Sequence, residues 1–134
     1  MTTVPEAQAP VITQVEAAED ITVIDLEGEL DISVSAAIAE QAEAALATGR
    51  HLVINLSEAT FIDSSTIHAL FRADAAAKKA GRKFVLQFGS RASVARVLEI
   101  TGADAIFPIA PTREAAIDLV RASATAAAEA SPRA

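Results

Sequence analysis

Residues 55–71 read NLSEATFIDSSTIHALF, and the fold follows from how this stretch divides. Residues 51–56 (HLVINL), which lead into it, are apolar enough for a buried strand. Residues 57–62 read as a short connection. Asp63 then opens a helix, with the hydroxyls of Ser64, Ser65 and Thr66 in succession at its start. The first turn of a helix leaves backbone N–H groups without intrahelical partners, and Asp or Ser there accepts them. The same end favours added negative charge. A serine at this place is well positioned to carry a phosphate.

Working outward, the helix over 64–80 buries Ile67, Leu70, Ala73, Ala77 and Ala80, with Phe71 and Asp74 at the borders. Ser65, His68, Arg72 and Lys79 take the opposite face, and Gly81 stops the helix. In the strand over 51–56, Leu52, Ile54 and Leu56 share one face, and Val53 on the other implies cover on both sides. Upstream, residues 11–15 and 21–26 (ITVIDL) predict two strands of a hairpin, the second ended by Gly28. Residues 33–48 follow a helical period through Val34, Ala37, Ile38, Ala45 and Leu46, with Ser33 or Asp31 as cap and Gly49 after the end. Downstream, residues 83–88 (KFVLQF) predict a fourth strand, 92–100 a helix closed by Gly102, and 105–109 (AIFPI) a short strand confined to an edge by Pro108. Thr112 opens a last helix to about residue 122, with Glu114 one residue short of capping-box spacing.

The order β β α β α β α β α implies an α/β fold. Alternation of strand and helix favours parallel pairing with right-handed crossovers. The expectation is a single mostly parallel sheet of about five strands, an N-terminal antiparallel hairpin and about four helices. Residues 11–123 form the one domain, and residues 1–10 and 124–134 are expected to be flexible tails.

Composition narrows the function. With 134 residues and 51% hydrophobic residues the chain can bury a core. It contains no Cys, which removes disulfides, thiolate metal sites and a cysteine nucleophile. A formal net charge of −7 makes nucleic acid and anionic membrane poor partners. Residues 1–10 (MTTVPEAQAP) lack the pattern of a signal peptide, and no stretch approaches the roughly 20 apolar residues of a spanning helix. A soluble, cytoplasmic protein without membrane insertion is expected.

Two short motifs resemble those of the STAS domain. They are residues 28–31 (GELD) and, about thirty residues later, LSEATFIDSSTIHAL. The likeness is greatest to bacterial anti-sigma factor antagonists, whose motif is an apolar strand, a loop ending in a large hydrophobe, then Asp-Ser-Ser-Gly-Leu or a close variant. Here it reads Phe61, Ile62, Asp63, Ser64, Ser65, Thr66, Ile67. The order of elements matches over residues 11–123. Thr66 departs from the pattern, standing where the family often has Gly or another small residue.

The resemblance implies a protein switch. Its members bind an anti-sigma factor, often a GHKL-type serine kinase, and so free a sigma factor. The kinase phosphorylates the second serine of the motif, which maps onto Ser65, and a serine phosphatase reverses this. Asp63 matches the motif Asp beside the phosphoacceptor, and Asp31 the acidic residue near the same surface. Ser64, Thr66 and His68 join Asp31 and Asp63 as expected partner-binding residues. No cofactor and no metal are implied.

Plainer readings stand beside these. Asp31, Asp63 and Ser64 serve equally as caps, and His68, Arg72 and Lys79 as a solvated helix face. Asp63, Ser64 or Ser65, and His68 contain the residue types of a hydrolase triad. Crowded onto one helix turn, they cannot form the base–orienter line, and no G-x-S-x-G elbow or Walker loop is present. Two histidines and no Cys argue against a catalytic zinc site, so no enzymatic activity is expected. The alternative to the switch is a non-catalytic STAS subunit of a lipid-transport ATPase or another regulatory complex.

Overall fold

A strand that is apolar at successive positions must be covered on both faces, and the middle of the sheet meets that demand. The strands are β1 (Val11–Ala18), β2 (Ile21–Leu30), β3 (His51–Ile62), β4 (Phe84–Gln87) and β5 (Ile109–Ala110), side by side in that order. β1 and β2 pair antiparallel as the expected hairpin, and every other pair is parallel. The helices are α1 (Ile32–Ala47), α2 (Ser64–Ala80), α3 (Ala92–Ile100), the single turn α4 (Ala103–Ile106) and α5 (Arg113–Ala130). The computed structural model describes residues 9–130, with 126–130 as helix backbone alone.

Register sorts the core into two layers. Val23, Val53 and Val85 form one row across β2, β3 and β4, and Ile24, Ile54 and Leu86 form the next. Successive side chains point to opposite faces, so the rows face opposite ways. The isoleucine–leucine side carries the larger core, with Ile38 and Leu46 of α1, Ile67 and Leu70 of α2, and Val94 and Leu98 of α3. The valine side packs under Ala116 and Val120 of α5. Parallel strands laid down in sequence order by right-handed crossovers place all their connecting helices on one face. Only the final helix is left to cover the other.

Two residues beyond the valine row, the same face turns polar with Asp25, Asn55 and Gln87 in register. Asn55 Nδ2 donates to Asp25 Oδ1 at 2.7 Å, and the Arg113 guanidinium at the start of α5 pairs with the same carboxylate. This pairing fixes where α5 begins.

Three expectations are corrected. Residues 57–62 are not a connection, because β3 continues to Ile62 beside a β2 that continues past Gly28 to Leu30. The extension contains register shifts, one of them between Gly28 and Glu29. Gly28 has φ +85°, which a residue without Cβ adopts without strain. Residues 105–109 are not a strand. The chain forms α4, turns Phe107 inward against Phe71 and Phe84 at ring-centroid distances of 4.8 and 5.4 Å, and leaves only Ile109–Ala110 to pair. Pro108 has no N–H to give the ladder, although its carbonyl accepts from Leu86 N at 2.9 Å. Finally, α5 runs to Ala130, past the expected end near residue 122, and Thr112 caps it alone through Ala115 N at 3.1 Å. Residues 1–8 and 131–134 of the expected tails lie outside the described residues.

His51, at the start of β3, is buried and its Nδ1 accepts the Lys83 N–H at 2.9 Å. Burial first, then the charge of Arg82, lowers its pKa below the ordinary 6.5. The neutral ring is therefore the folded form. On acidification the unfolded chain takes the proton first, so the contribution of His51 is complete above about 6.5 and is lost as the pH falls from there through the lowered folded value. Urea unfolding of wild type and His51→Gln should show the wild type losing stability relative to the variant over that window. A difference independent of pH would refute this role.

Candidate functional site

β2 and β3 end side by side, with Leu30 opposite Ile62. Each strand is followed at once by an aspartate and a helix, so two helix starts lie next to each other at the carboxyl edge of the sheet. The caps are built alike. Asp31 Oδ1 accepts Ser33 N at 2.9 Å and Ser33 Oγ at 2.5 Å. Asp63 Oδ1 accepts Ser65 N at 3.0 Å, Thr66 N at 3.1 Å and Ser65 Oγ at 2.5 Å. Both aspartates have extended backbone, as N-cap residues do. Hydrogen bonds from the Ser33 hydroxyl, then from its backbone N–H, hold the Asp31 carboxyl below its ordinary pKa.

Ser65 is half-buried and His68 exposed. They line one shallow depression of about 200 Å³ with Ile32 and Ser35 of α1 and Arg72 of α2. No hydrogen bond joins His68 to Ser65 among the described residues. Arg72 is engaged with Glu43 of α1 at 3.0 Å. Ser64 is exposed but does not line the depression. Asp31 and Asp63 sit at its helix-start end as caps.

Thr66 was expected on the partner-facing surface. It is instead fully buried, and its Oγ1 donates to the Leu30 carbonyl at 2.9 Å. The hydroxyl ties the start of α2 to the end of β2, which explains why a side chain larger than glycine fits. Thr66→Val should lower stability by about 1–3 kcal/mol by leaving a buried acceptor unpaired, read as a lower urea midpoint. An unchanged midpoint would remove this bond from the account of the site.

Sequence reasoning missed two apolar contributors. Ile32, the first residue of α1, is 75% exposed, and Phe61, near the end of β3, is 44% exposed. Each adjoins a cap aspartate or the residue before it, and the only signal was a large hydrophobe where a solvated loop was read. The surroundings are acidic. Glu27 stands opposite Glu58 and Glu29 opposite Phe61 in the β2–β3 register, so three glutamates fall within the last residues of the two strands that Asp31 and Asp63 follow.

Chemically, the arrangement offers a serine hydroxyl held by a carboxylate acceptor at an accessible helix start. A group added to Ser65 Oγ would displace its proton and meet the Asp63 carboxylate. The two N–H groups that would otherwise greet an anion already serve Asp63.

A mostly parallel sheet with an antiparallel hairpin at one edge, and a hydroxyl-bearing helix start beside it, defines an α/β module with an exposed polar edge. The STAS domain model matches residues 13–116, and the chain belongs to the STAS domain family. Solved structures agree. An anti-sigma factor antagonist from Mycobacterium paratuberculosis is 25% identical, with 90% of this chain and 99% of that one covered, at TM-score 0.69. The anti-sigma factor antagonist SpoIIAA in its unphosphorylated form is 24% identical, with 84% and 97% covered, at TM-score 0.72. The Bacillus cell fate determinant SpoIIAA in its phosphorylated form is 23% identical, with 82% and 99% covered, at TM-score 0.64. No helix among the described residues is long and apolar enough to cross a membrane.

Proposed function

We propose that the chain is an anti-sigma factor antagonist, a non-catalytic binding switch. It sequesters an anti-sigma factor that is itself a GHKL-type serine kinase, and so frees a sigma factor in the cytoplasm. Phosphorylation of Ser65 turns binding off, and a serine phosphatase restores it. Neither nucleic acid nor membrane insertion is part of this reading.

The observation that carries it is the placement of Ser65. Its Oγ lies 2.5 Å from the Asp63 carboxylate at the start of α2, on an accessible depression bordered by exposed Ile32. An exposed apolar anchor such as Ile32 or Phe61 suits a protein partner. In this reading the partner also meets His68, which lines the depression, the exposed Ser64, and the cap residues Asp31 and Asp63, with Thr66 acting from beneath through Leu30. The SpoIIAA structures include a phosphorylated form, which supports carrying a phosphate on this fold.

The test is intact-mass analysis and phosphosite mapping of the protein from its own organism, with affinity capture from the same lysate. A phosphate on Ser65 and a GHKL-type kinase in the capture would support the switch. No phosphate under any growth condition, with a transport ATPase as the main partner, would replace it with the structural-subunit reading.

A further inference from the structure

Cations cluster at the end of α2, away from Ser65. Five Lys or Arg residues have no ion pair among the described residues, and three of them, Lys79, Arg82 and Lys83, fall within five positions at the end of α2 and just after it. Lys78 and Lys79 lie in the last turn of α2, where the helix dipole accounts for them. Arg82 and Lys83 lie beyond Gly81, where it does not.

These two residues rise from a fixed backbone. Arg82 N donates to Ala77 O at 2.8 Å, and Lys83 N to His51 Nδ1 at 2.9 Å. With Lys78 they border a pocket of about 310 Å³ between α2, the amino end of β4, α4 and α5. Its single carboxylate, Asp74, is engaged by Lys78 at 3.0 Å. Phe84 forms part of the lining, Ile106 and Pro108 make an apolar wall, and Ser123 adds a hydroxyl. Ile106 is 55% exposed, although the neighbouring Phe107 is buried. Cations on a held backbone beside an uncovered apolar wall, in a concavity of small-ligand size, form a recognisable combination. No residue of this pocket lines the depression at Ser65.

We propose that this pocket is a second binding site, which takes a small organic anion with a carboxylate or phosphate head on an apolar body. The head lies against Arg82 and Lys83, and the body covers Ile106. A binding site here does not depend on the switch reading, because it uses neither Ser65 nor a protein partner.

Two-dimensional 15N–1H NMR of the full chain tests it, with hexanoate and hexyl phosphate as the two anionic probes and hexanol and inorganic phosphate as controls. The expected result is saturable shifts at the amides of residues 82–85, 106 and 123 with at least one anionic probe, with a dissociation constant on the order of a millimolar. Comparing the two probes assigns the head group. Each control should bind more weakly than that probe, and Arg82→Gln with Lys83→Gln should weaken it about tenfold. Ile106→Ser, at an exposed position, should weaken the anionic probes while leaving inorganic phosphate unaffected. Absence of saturable shifts with both probes would overturn the proposal, as would shifts centred elsewhere or equal affinity in the double variant. Neither result would bear on phosphorylation of Ser65.

Discussion

Phosphorylation of Ser65 is expected to lower affinity for the anti-sigma partner by about 5- to 150-fold, the usual range for a coupling of 1–3 kcal/mol, with the fold unchanged. A phosphate adds about −1.5 to −2 charges. At a bare helix start, N–H groups would absorb much of that charge. Here Ser65 N and Thr66 N already donate to Asp63, and that carboxylate lies 2.5 Å from the reacting oxygen. The phosphate is repelled outward by that carboxylate, into the depression that Ser65 shares with Ile32 and His68. It loses one hydroxyl–carboxylate bond and leaves the backbone cap standing, so the domain stays folded while the partner meets added charge and bulk. Titration calorimetry of the two forms against the purified partner measures the effect, and circular dichroism checks the fold. A native spectrum with unchanged affinity would contradict the switch.

Leu70→Ala is expected to be the most damaging single change of stability, at about 2–5 kcal/mol. Leu70 is fully buried in the larger core. Its neighbours along the buried face of α2 are Ile67, Ala73 and Ala77, and the small alanines let the helix seat closely on the sheet. That closeness leaves little for the structure to collapse into, so most of the vacated volume persists as a cavity. The midpoint in urea should fall with the slope unchanged. A loss below about 1 kcal/mol would mean that α2 settles into the gap. Because α2 also presents Ser65, the variant would loosen the proposed partner surface as well.

Much of the fold was legible because periodicity is a local property. The alternation of Leu52, Val53 and Ile54 and the stripe of Ile67, Leu70, Ala73 and Ala77 need no knowledge of what lies across the core. The misreadings involve partners distant in sequence. Ser57, Glu58 and Gly28 look like strand breakers alone, yet Gly28 stands opposite Ala59 and Glu27 opposite Glu58, which carries both strands onward. Residues 105–109 look like a strand until Phe107 finds Phe71 and Phe84. At the candidate site, the Asp63–Ser65 relation was readable because a cap is made within three residues. The inward turn of Thr66 was not, since its acceptor is Leu30, 36 positions earlier. The exposure of Ile32 and Phe61 was equally hidden, because what covers a residue at a strand end or helix start is set by elements distant in sequence.

The sheet's two margins bear on whether another chain can add a strand to it. A long, flat, unpaired strand is a template for another chain. One margin, β5, offers two residues and is preceded by Pro108, which donates nothing. The other, β1, is eight residues long, but it carries Glu16 and a register shift between Glu16 and Ala18 that bends it out of line. Neither margin invites an added strand. The described sheet therefore has edges poorly suited to accretion into fibres.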